Sequence, residues 1–206
     1  APNLMTVVDE AGTASALAAS ARRLGTRIKV LVDVDAGLGR TGVAPDRAET
    51  LADLVCRSPG LELVGVQAYA GHVQHIRGFE ARHAASLKTM RPAAELVRAW
   101  RARGRPCSVF TGAGTGSHDA DCEIPELTDL QTGSYVFLDA EYLRIGSRGS
   151  PDRLAGFETA LTLLTTVVSA NQPGWVTVDA GFKALYPGTE PPRVLGGEAG
   201  GLTYEW

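Results

Sequence analysis

The feature that most constrains the fold is the alternation of short apolar runs with longer amphipathic stretches over the first two-thirds of the 206 residues. The apolar runs are nearly continuous and rich in β-branched residues, as in strands that are covered on both faces. The stretches between them have the apolar spacing of helices. The sequence therefore predicts a parallel α/β sheet, and this pattern alone allows both a barrel and an open doubly wound sheet.

Five strands and three helices make up this first part. The predicted strands are Met5–Val8, Lys29–Val34, Leu63–Tyr69, Cys107–Phe110 and Leu130–Val136. The predicted helices are Glu10–Leu24, Asp46–Cys56 and Gly78–Arg103. Five β/α units are too few to close an eight-stranded barrel, so we expect the chain to lack sequence at its beginning.

The character of the sequence changes at about residue 151. Two β-rich runs, Thr159–Ala170 and Trp175–Asp179, flank the turn sequence Asn-Gln-Pro-Gly, which favours antiparallel pairing. We therefore predict that residues 1–150 form part of a barrel and that residues 151–206 form part of a β-rich domain. A two-stranded domain is rarely stable, so sequence is expected to be missing at this end too.

Composition excludes several classes of function. The formal charge of −3 and the pI near 5.8 give no sign of a basic surface that would bind nucleic acid. No apolar run approaches the roughly 20 residues that cross a bilayer. Three widely spaced cysteines without a CxxC motif indicate neither a disulfide framework nor a zinc site. These observations predict a cytoplasmic protein with a small-molecule partner, without nucleic acid or membrane.

Two glycine-rich turns lie at the ends of the fourth and fifth predicted strands. They are Thr111–Gly116 and Gly133–Tyr135. Backbone N–H groups in such turns converge on a dianion, and glycine allows a close approach. Because the loops after the last two strands of a barrel usually hold a phosphate, the pair predicts a phosphate site.

Three further side chains follow predicted strands. Arg40, among glycines, either points into a pocket as a fork of donors or pairs with Asp33 or Asp35. Tyr69 and His72 end the next strand, where His72 either moves a proton near neutral pH or caps the following helix.

Two other groups of residues favour structural roles. The acidic residues between the glycine-rich turns lack the spacing of a calcium loop and predict a solvated acidic loop instead. They are Asp119, Asp121, Glu123 and Glu126. Lys183 has no surroundings that would activate it as a nucleophile, so we expect it at the surface, with Asp179 in a structural role.

Five segments together resemble the fold-type III pyridoxal-phosphate (PLP) enzymes of the D-threonine aldolase and D-serine dehydratase group. The segments are VLVDVDAGLGRTGV, GVQAYAGH, FTGAGTG, LQTGSYVFLDAEY and VTVDAGFKAL, in the order of that family. The resemblance implies an alanine-racemase-like (β/α)8 barrel, of which the chain holds strands four to eight, followed by part of a β domain.

The resemblance also implies roles for individual residues. It places the cofactor phosphate at Thr111, Gly112, Gly114, Thr115, Gly133, Ser134 and Tyr135. Arg40 corresponds to the arginine near the pyridine nitrogen, where it weakens the electron sink. Tyr69 and His72 correspond to catalytic positions that line cofactor and substrate.

The family's Schiff-base lysine and its His-x-Cys metal ligands have no counterpart in the chain. We therefore expect no metal-binding residue and no turnover by residues 1–206 alone. The resemblance implies that the intact protein is a homodimer that uses PLP and Mn²⁺, Mg²⁺ or Zn²⁺.

The resemblance implies cleavage of D-3-hydroxy amino acids, and we expect D-threonine aldolase activity. Dehydration of D-serine or D-3-hydroxyaspartate is the alternative within the family. A phosphosugar barrel enzyme and a non-catalytic PLP-binding protein are the alternatives from other classes, and the β-rich runs after residue 151 argue against the second.

Overall fold

A computed structural model of the chain describes residues 4–185, 191–195 and 201–205. The chain divides into two compact units between Gly133 and Ser134, and each unit is described by itself. The domain boundary expected at residue 150 stays a prediction from the sequence.

The first unit contains one parallel sheet. Its strands are β1 (Met5–Val8), β2 (Ile28–Asp33), β3 (Leu61–Gln67), β4 (Val109–Gly112) and β5 (Asp129–Leu130). The strands lie in sequential order and every neighbouring pair is parallel. A doubly wound sheet would reverse its order at a switch point, so this order is that of a barrel wall. Within the described residues, β1 is an edge strand and pairs only with β2.

Helices join these strands. They are α1 (Ala11–Arg23), α2 (Ala48–Arg57), α3 (Phe79–Ala102) and the short α4 (His118–Asp121). The Glu10 carboxylate caps α1 by accepting from the N–H groups of Gly12 at 2.8 Å and Thr13 at 2.7 Å. Pro45 begins a 3₁₀ turn that leads into α2, and its fixed φ suits a first helical turn. The predicted α1, α2 and α3 are thus all present.

The core lies between one face of the sheet and the helices. Val30 and Val32 of β2 and Phe110 of β4 are completely buried there, with Trp100 of α3. The opposite face carries Asp33, Gln67 and Thr111 in register on β2, β3 and β4. Because side chains alternate along a strand, core packing on one face leaves the other for polar side chains.

One predicted strand ends much earlier than expected. The predicted strand Leu130–Val136 is wrong in extent, because β5 ends at Leu130 and Ser134–Val136 form a 3₁₀ turn. The Leu138 N–H closes that turn on the Ser134 carbonyl. Aromatic and β-branched residues favoured a strand here, but turn hydrogen bonds override this propensity.

The second unit is built from short elements. The helix α5 (Ala140–Leu143) is capped by Asp139, and Leu138, Tyr142, Ile145 and Leu154 form a small buried cluster. The strands β6 (Val167–Ser169) and β7 (Thr177–Val178) form an antiparallel pair, which confirms the predicted pairing although each strand is shorter. The Asp179 carboxylate accepts from Thr165 Oγ1 at 2.7 Å and from Thr166 N–H at 2.9 Å, and Lys183 is exposed. Both placements agree with the sequence.

Candidate functional site

The loops that follow β2, β3 and β4 meet at the carboxyl edge of the sheet. An open pocket lies there, and its walls include Asp33, Arg40, Gln67 and Tyr69. The His72 ring lies beside Gly37, where a Cβ would stand 3.5 Å from His72 Cε1. The structure thus brings together the three side chains that the sequence indicated as functional, Arg40, Tyr69 and His72.

Arg40 is not paired with a carboxylate. Its guanidinium carbon lies 6.0 Å from the centroid of the Tyr69 ring, within the range of a cation–π contact. Asp35 instead accepts from the N–H groups of Gly37 at 2.9 Å and Gly39 at 3.1 Å. Within the described residues the exposed Arg40 has no ion-pair partner, which favours the first of its two sequence-based interpretations.

Tyr69 connects Arg40 to the first glycine-rich turn. A Cβ on Gly114 would stand 2.8 Å from the Tyr69 hydroxyl oxygen, so the two are in close contact. Partial burial raises the pKa of the Tyr69 phenol, and the positive charge of Arg40 opposes that rise. Tyr69 therefore remains a protonated donor near neutral pH, and its hydroxyl has no hydrogen-bond partner in the part of the chain that the structure describes.

The glycines of the first turn are required by neighbouring protein groups. A Cβ on Gly116 would collide with the backbone carbonyl of Gln74, and one on Gly114 would collide with the Gln74 side-chain oxygen. The N–H groups of Gly116 and Ser117 donate to Gln74 Oε1 at 3.0 and 3.2 Å, and that of Gly114 donates to Ser117 Oγ at 3.3 Å. Three of the amides that a phosphate could use are thus occupied within the protein.

Ala113 is the unusual residue of this turn. It is a non-glycine residue with a φ of 62°, it is 1% exposed, and its N–H meets no acceptor among the described residues. A buried N–H without a partner is rare, and left-handed backbone at a non-glycine residue concentrates at functional sites. Ala113 N–H is therefore a donor of this turn that remains available to a ligand, because it has no partner among the described residues.

The second glycine-rich turn is divided between the two units. Gly133 ends the first unit, and a Cβ there would meet nothing within 4 Å. Ser134 and Tyr135 begin the second unit, where the Tyr135 ring lies 5.7 Å from that of Phe157. Each unit is described by itself, so a shared role of both turns stays a prediction.

A row of polar side chains crosses the pocket side of the sheet, and it includes Gln67, which the sequence did not single out. Gln67 Nε2 donates to Asp33 Oδ1 at 3.2 Å, and Gln131 Nε2 donates both to Gln67 Oε1 and to Thr111 Oγ1 at 3.1 Å. Gln67 and Tyr69 are two positions apart and so share a face, which is the signal that could have identified Gln67.

The acidic residues between the two turns are not a solvated loop. Asp121 is fully buried and Glu126 is 8% exposed, so that prediction is wrong for both. Ser86 Oγ and Ser117 Oγ donate to the two Asp121 oxygens at 2.6 and 2.7 Å, and Arg98 Nε donates to Glu126 Oε1 at 2.7 Å. Burial raises the pKa of the Asp121 carboxyl, and the two hydroxyl donors oppose it.

Within residues 4–185, 191–195 and 201–205, no group of three or more His, Cys, Asp or Glu side chains is arranged to hold a metal ion. Among these residues no helix has both the length and the apolar character that crossing a bilayer requires.

Comparison with known proteins identifies the family. The family "Alanine racemase, N-terminal domain" matches residues 1–140. The chain belongs to this family. Its sheet is accordingly part of the alanine-racemase-type (β/α)8 barrel, which confirms the predicted fold class.

Individual relatives of this alanine racemase N-terminal domain are similar over nearly the whole chain. The D-threonine aldolase of Arthrobacter sp is 39% identical over 96% of the chain and 51% of its own length. The crystal structure of D-threonine aldolase from Filomicrobium marinum is 34% identical with a TM-score of 0.82, over 91% of this chain and 50% of that one. D-threo-3-hydroxyaspartate dehydratase from Delftia sp. HT23 is 30% identical with a TM-score of 0.75, over 89% and 48%. The chain spans about half the length of these relatives.

The residues around the pocket fit a phosphorylated pyridine cofactor. Among the described residues, Arg40 provides a positive charge without an ion-pair partner, Tyr69 an aromatic face with an unbonded hydroxyl, and Ala113 a buried N–H without an acceptor. These groups complement a planar ring and a dianion. The fit does not extend to a divalent ion, because the described residues contain no suitable cluster.

Proposed function

We propose that the protein is a PLP-dependent lyase that cleaves D-3-hydroxy amino acids. The observation that carries this proposal is the contact series at the carboxyl edge of the sheet, in which Arg40 lies over Tyr69 and the Tyr69 hydroxyl lies against Gly114. Three segments far apart in sequence meet there, and relatives with similar sequences are named as aldolases and a dehydratase. Bound PLP would supply the electron sink for breaking the bond to the α-carbon.

Within this proposal, Arg40 and Tyr69 bind and orient the cofactor. The guanidinium of Arg40 stays charged at any physiological pH and donates hydrogen bonds only. Beside the pyridine nitrogen it would disfavour protonation of that nitrogen, as two positive charges repel. Tyr69 would place its ring beside the cofactor and donate a hydrogen bond through its hydroxyl group, since its raised pKa keeps that group protonated.

The same proposal assigns His72 to proton transfer and the two glycine-rich turns to the phosphate. The His72 imidazole is exposed beside Gly37, and an imidazole can hold or move a proton at the substrate. Thr111, Gly112, Gly114, Thr115, Gly133, Ser134 and Tyr135 are the proposed phosphate-binding positions. Of the first turn, Ala113 N–H joins them because it is unpaired within the described residues.

Aldol cleavage is the preferred reaction and D-threonine the preferred substrate. The Arthrobacter aldolase is 39% identical to the chain, whereas the Delftia dehydratase is 30% identical. Cleavage of D-threonine gives glycine and acetaldehyde. Dehydration, the second candidate, gives 2-oxobutanoate and ammonia from the same substrate and is supported by the similarity of the dehydratase fold over 89% of the chain.

These products give the test. The protein encoded by the complete reading frame, here called the full-length protein, is supplied with PLP and D-threonine, with L-threonine as the stereochemical control. Glycine and acetaldehyde in equal amounts, from the D-isomer alone, support the aldolase. A predominance of 2-oxobutanoate would establish the dehydratase, and no product from either isomer would refute both. If the protein is instead a phosphosugar enzyme, adding PLP would not produce a visible absorption band that borohydride removes.

Dependence on Mn²⁺, Mg²⁺ or Zn²⁺, a homodimeric assembly and a cytoplasmic location belong to the same proposal through the resemblance. If the full-length protein still turns over D-threonine after exhaustive dialysis against a chelator, the proposed metal dependence is refuted. Sedimentation of the full-length protein tests the dimer.

A further inference from the structure

A buried polar cluster lies directly behind the first glycine-rich turn and has no part in the proposed function. Its members are Gln74, Ser86, Ser117 and Asp121, each at most 1% exposed. Burying so many polar side chains is costly unless every one is hydrogen-bonded. The cluster therefore holds a defined arrangement, and its contacts show which one.

Gln74 is the centre of the cluster and uses its whole amide. Its Nε2 donates to the Ala70 carbonyl at 3.1 Å and to Ser117 Oγ at 2.8 Å. Its Oε1 accepts from the N–H groups of Gly116 at 3.0 Å and Ser117 at 3.2 Å. An amide has two N–H donors and two lone pairs, so Gln74 is fully satisfied. It joins the turn that follows β3 to the turn that follows β4.

The rest of the cluster anchors this link to α3. Ser117 Oγ donates to Asp121 Oδ2 at 2.7 Å, and Ser86 Oγ, on α3, donates to Asp121 Oδ1 at 2.6 Å. Arg82, also on α3 and 1% exposed, donates through Nε to the Gly116 carbonyl at 2.5 Å. The Gly116 carbonyl and the Ser117 N–H belong to one peptide group, which is therefore held from two sides, by Arg82 and by Gln74.

The turn that the cluster holds carries a conformation that the chain would not adopt freely. Ala113, at a φ of 62°, lies three residues before Gly116. Such backbone persists only where the surroundings over-determine it. Next to it, Gly114 N–H donates to Ser117 Oγ at 3.3 Å, and Gly114 contacts both the Gln74 amide and the Tyr69 hydroxyl.

The geometry points to Gln74 as a positioning residue for phosphate recognition: it presets residues 112–117 so that the free Ala113 N–H and the Tyr69 hydroxyl face the phosphate of PLP together. This inference rests on the proposed function. Gln74 does not itself contact the ligand, because both ends of its amide are already bonded to protein atoms. Replacing Gln74 should therefore weaken the binding of the phosphate group and leave the binding of the pyridine ring unchanged.

Comparing PLP with pyridoxal, which lacks the phosphate, isolates this effect. The variant Gln74→Met keeps the length of the side chain and removes all four hydrogen bonds. In the full-length protein we expect the Kd for PLP to rise about tenfold, as for losing a charge-assisted hydrogen bond, and the Kd for pyridoxal to change less than about twofold. Both are measured by absorbance titration of the apoprotein. Gln172→Met, at an exposed turn position, is the matched control and should change neither.

The possible outcomes separate the two proposals. If Gln74→Met lowers the affinities for PLP and pyridoxal by the same factor, or changes neither affinity, the inference is overturned while the proposed function stands. If the wild-type protein binds PLP no more tightly than pyridoxal, the phosphate site of the proposed function fails instead.

A milder variant covers the case in which Gln74→Met does not fold. Ser117→Ala removes one partner of Gln74 Nε2 and of Gly114 N–H but keeps both bonds to Gln74 Oε1. We expect this variant to lower the affinity for PLP about threefold and to leave the affinity for pyridoxal unchanged. An unchanged ratio of the two affinities in a folded Ser117→Ala protein would contradict the inference.

Discussion

Arg40 lies over the ring of Tyr69, with its guanidinium carbon 6.0 Å from the ring centroid. The two residues come from the loops after β2 and β3, 29 positions apart in the chain. Asp35, the nearest carboxylate in sequence, is already bound to the backbone N–H groups of Gly37 and Gly39. The positive charge of Arg40 is thus directed at the open pocket instead of being neutralised at its rim.

Replacing Arg40 by alanine should weaken PLP binding by about ten- to a hundredfold, because a charge-assisted contact of this kind is worth about 1.5–3 kcal/mol. Arg40→Lys should restore only part of the affinity, since an ammonium group lacks the planar fork and stacks poorly. The measurement is the absorbance titration of the full-length apoprotein. Arg47→Ala, at an exposed position in the 3₁₀ turn before α2, is the control. Equal affinities for Arg40→Ala and wild type would contradict the assignment.

Gly116→Ala should destabilise the protein by about 1–3 kcal/mol, the usual cost of overpacking. The added methyl group would collide with the backbone carbonyl of the buried Gln74. Gly133→Ala is a closely matched comparison, because a Cβ there meets nothing within 4 Å and neither glycine has a positive φ. Thermal unfolding of both variants checks the prediction, and a midpoint for Gly116→Ala as high as that for Gly133→Ala would overturn it.

Glu49→Ala should lower stability by about 1–2 kcal/mol. Glu49 Oε2 accepts from the indole N–H of the fully buried Trp100 at 2.7 Å, and Glu49 Oε1 accepts from Arg105 at 2.6 Å. Removing the carboxylate leaves that indole donor without its acceptor. We expect the unfolding midpoint to fall by about 2–8 °C. Glu95→Ala, on the exposed side of α3, should change it by less than about 1 °C.

The buried Asp121 should make stability depend on pH. Burial raises its pKa in the folded protein above the ordinary value of 3.8. The folded state therefore holds the proton more tightly than the unfolded state, and this contribution to stability decreases as the pH rises from about 3.8 through the folded pKa. The side chain introduced by Asp121→Asn is neutral. The unfolding midpoint of the wild type minus that of this variant should therefore decrease as the pH rises over this range. A constant difference would show that the hydroxyl donors balance the effect of burial, and a difference that increases with pH would show that they outweigh it.

The sequence predicted those features that arise from local periodicity and turn chemistry. The strands β1 to β4 and the helices α1 to α3 follow apolar spacing, and the loops after the strands contain the functional candidates Arg40, Tyr69 and His72. The polar contacts between distant segments were not predictable. Gln67 and Gln131 are 64 positions apart and Gln74 and Ser117 are 43 apart, and nothing in their neighbours indicates that they meet.

The same distinction explains the errors. Asp121 is one of four acidic residues in a short segment, which by composition favours a solvated loop. It is buried because Ser86, on a helix far away in sequence, and Ser117 provide donors for its two oxygens. The glycines of the first turn were assigned to the approach of a ligand, whereas Gly114 and Gly116 are needed for the approach of Gln74.

The edge strand β1 has a practical consequence for handling the polypeptide. Met5 and Val7 are 41% and 39% exposed on it, with Leu4 at 67% just before it. An uncovered apolar edge is a template onto which another extended chain can add through backbone hydrogen bonds. Colloidal stability, more than the free energy of unfolding, should therefore limit the concentration at which residues 1–206 can be kept in solution by themselves.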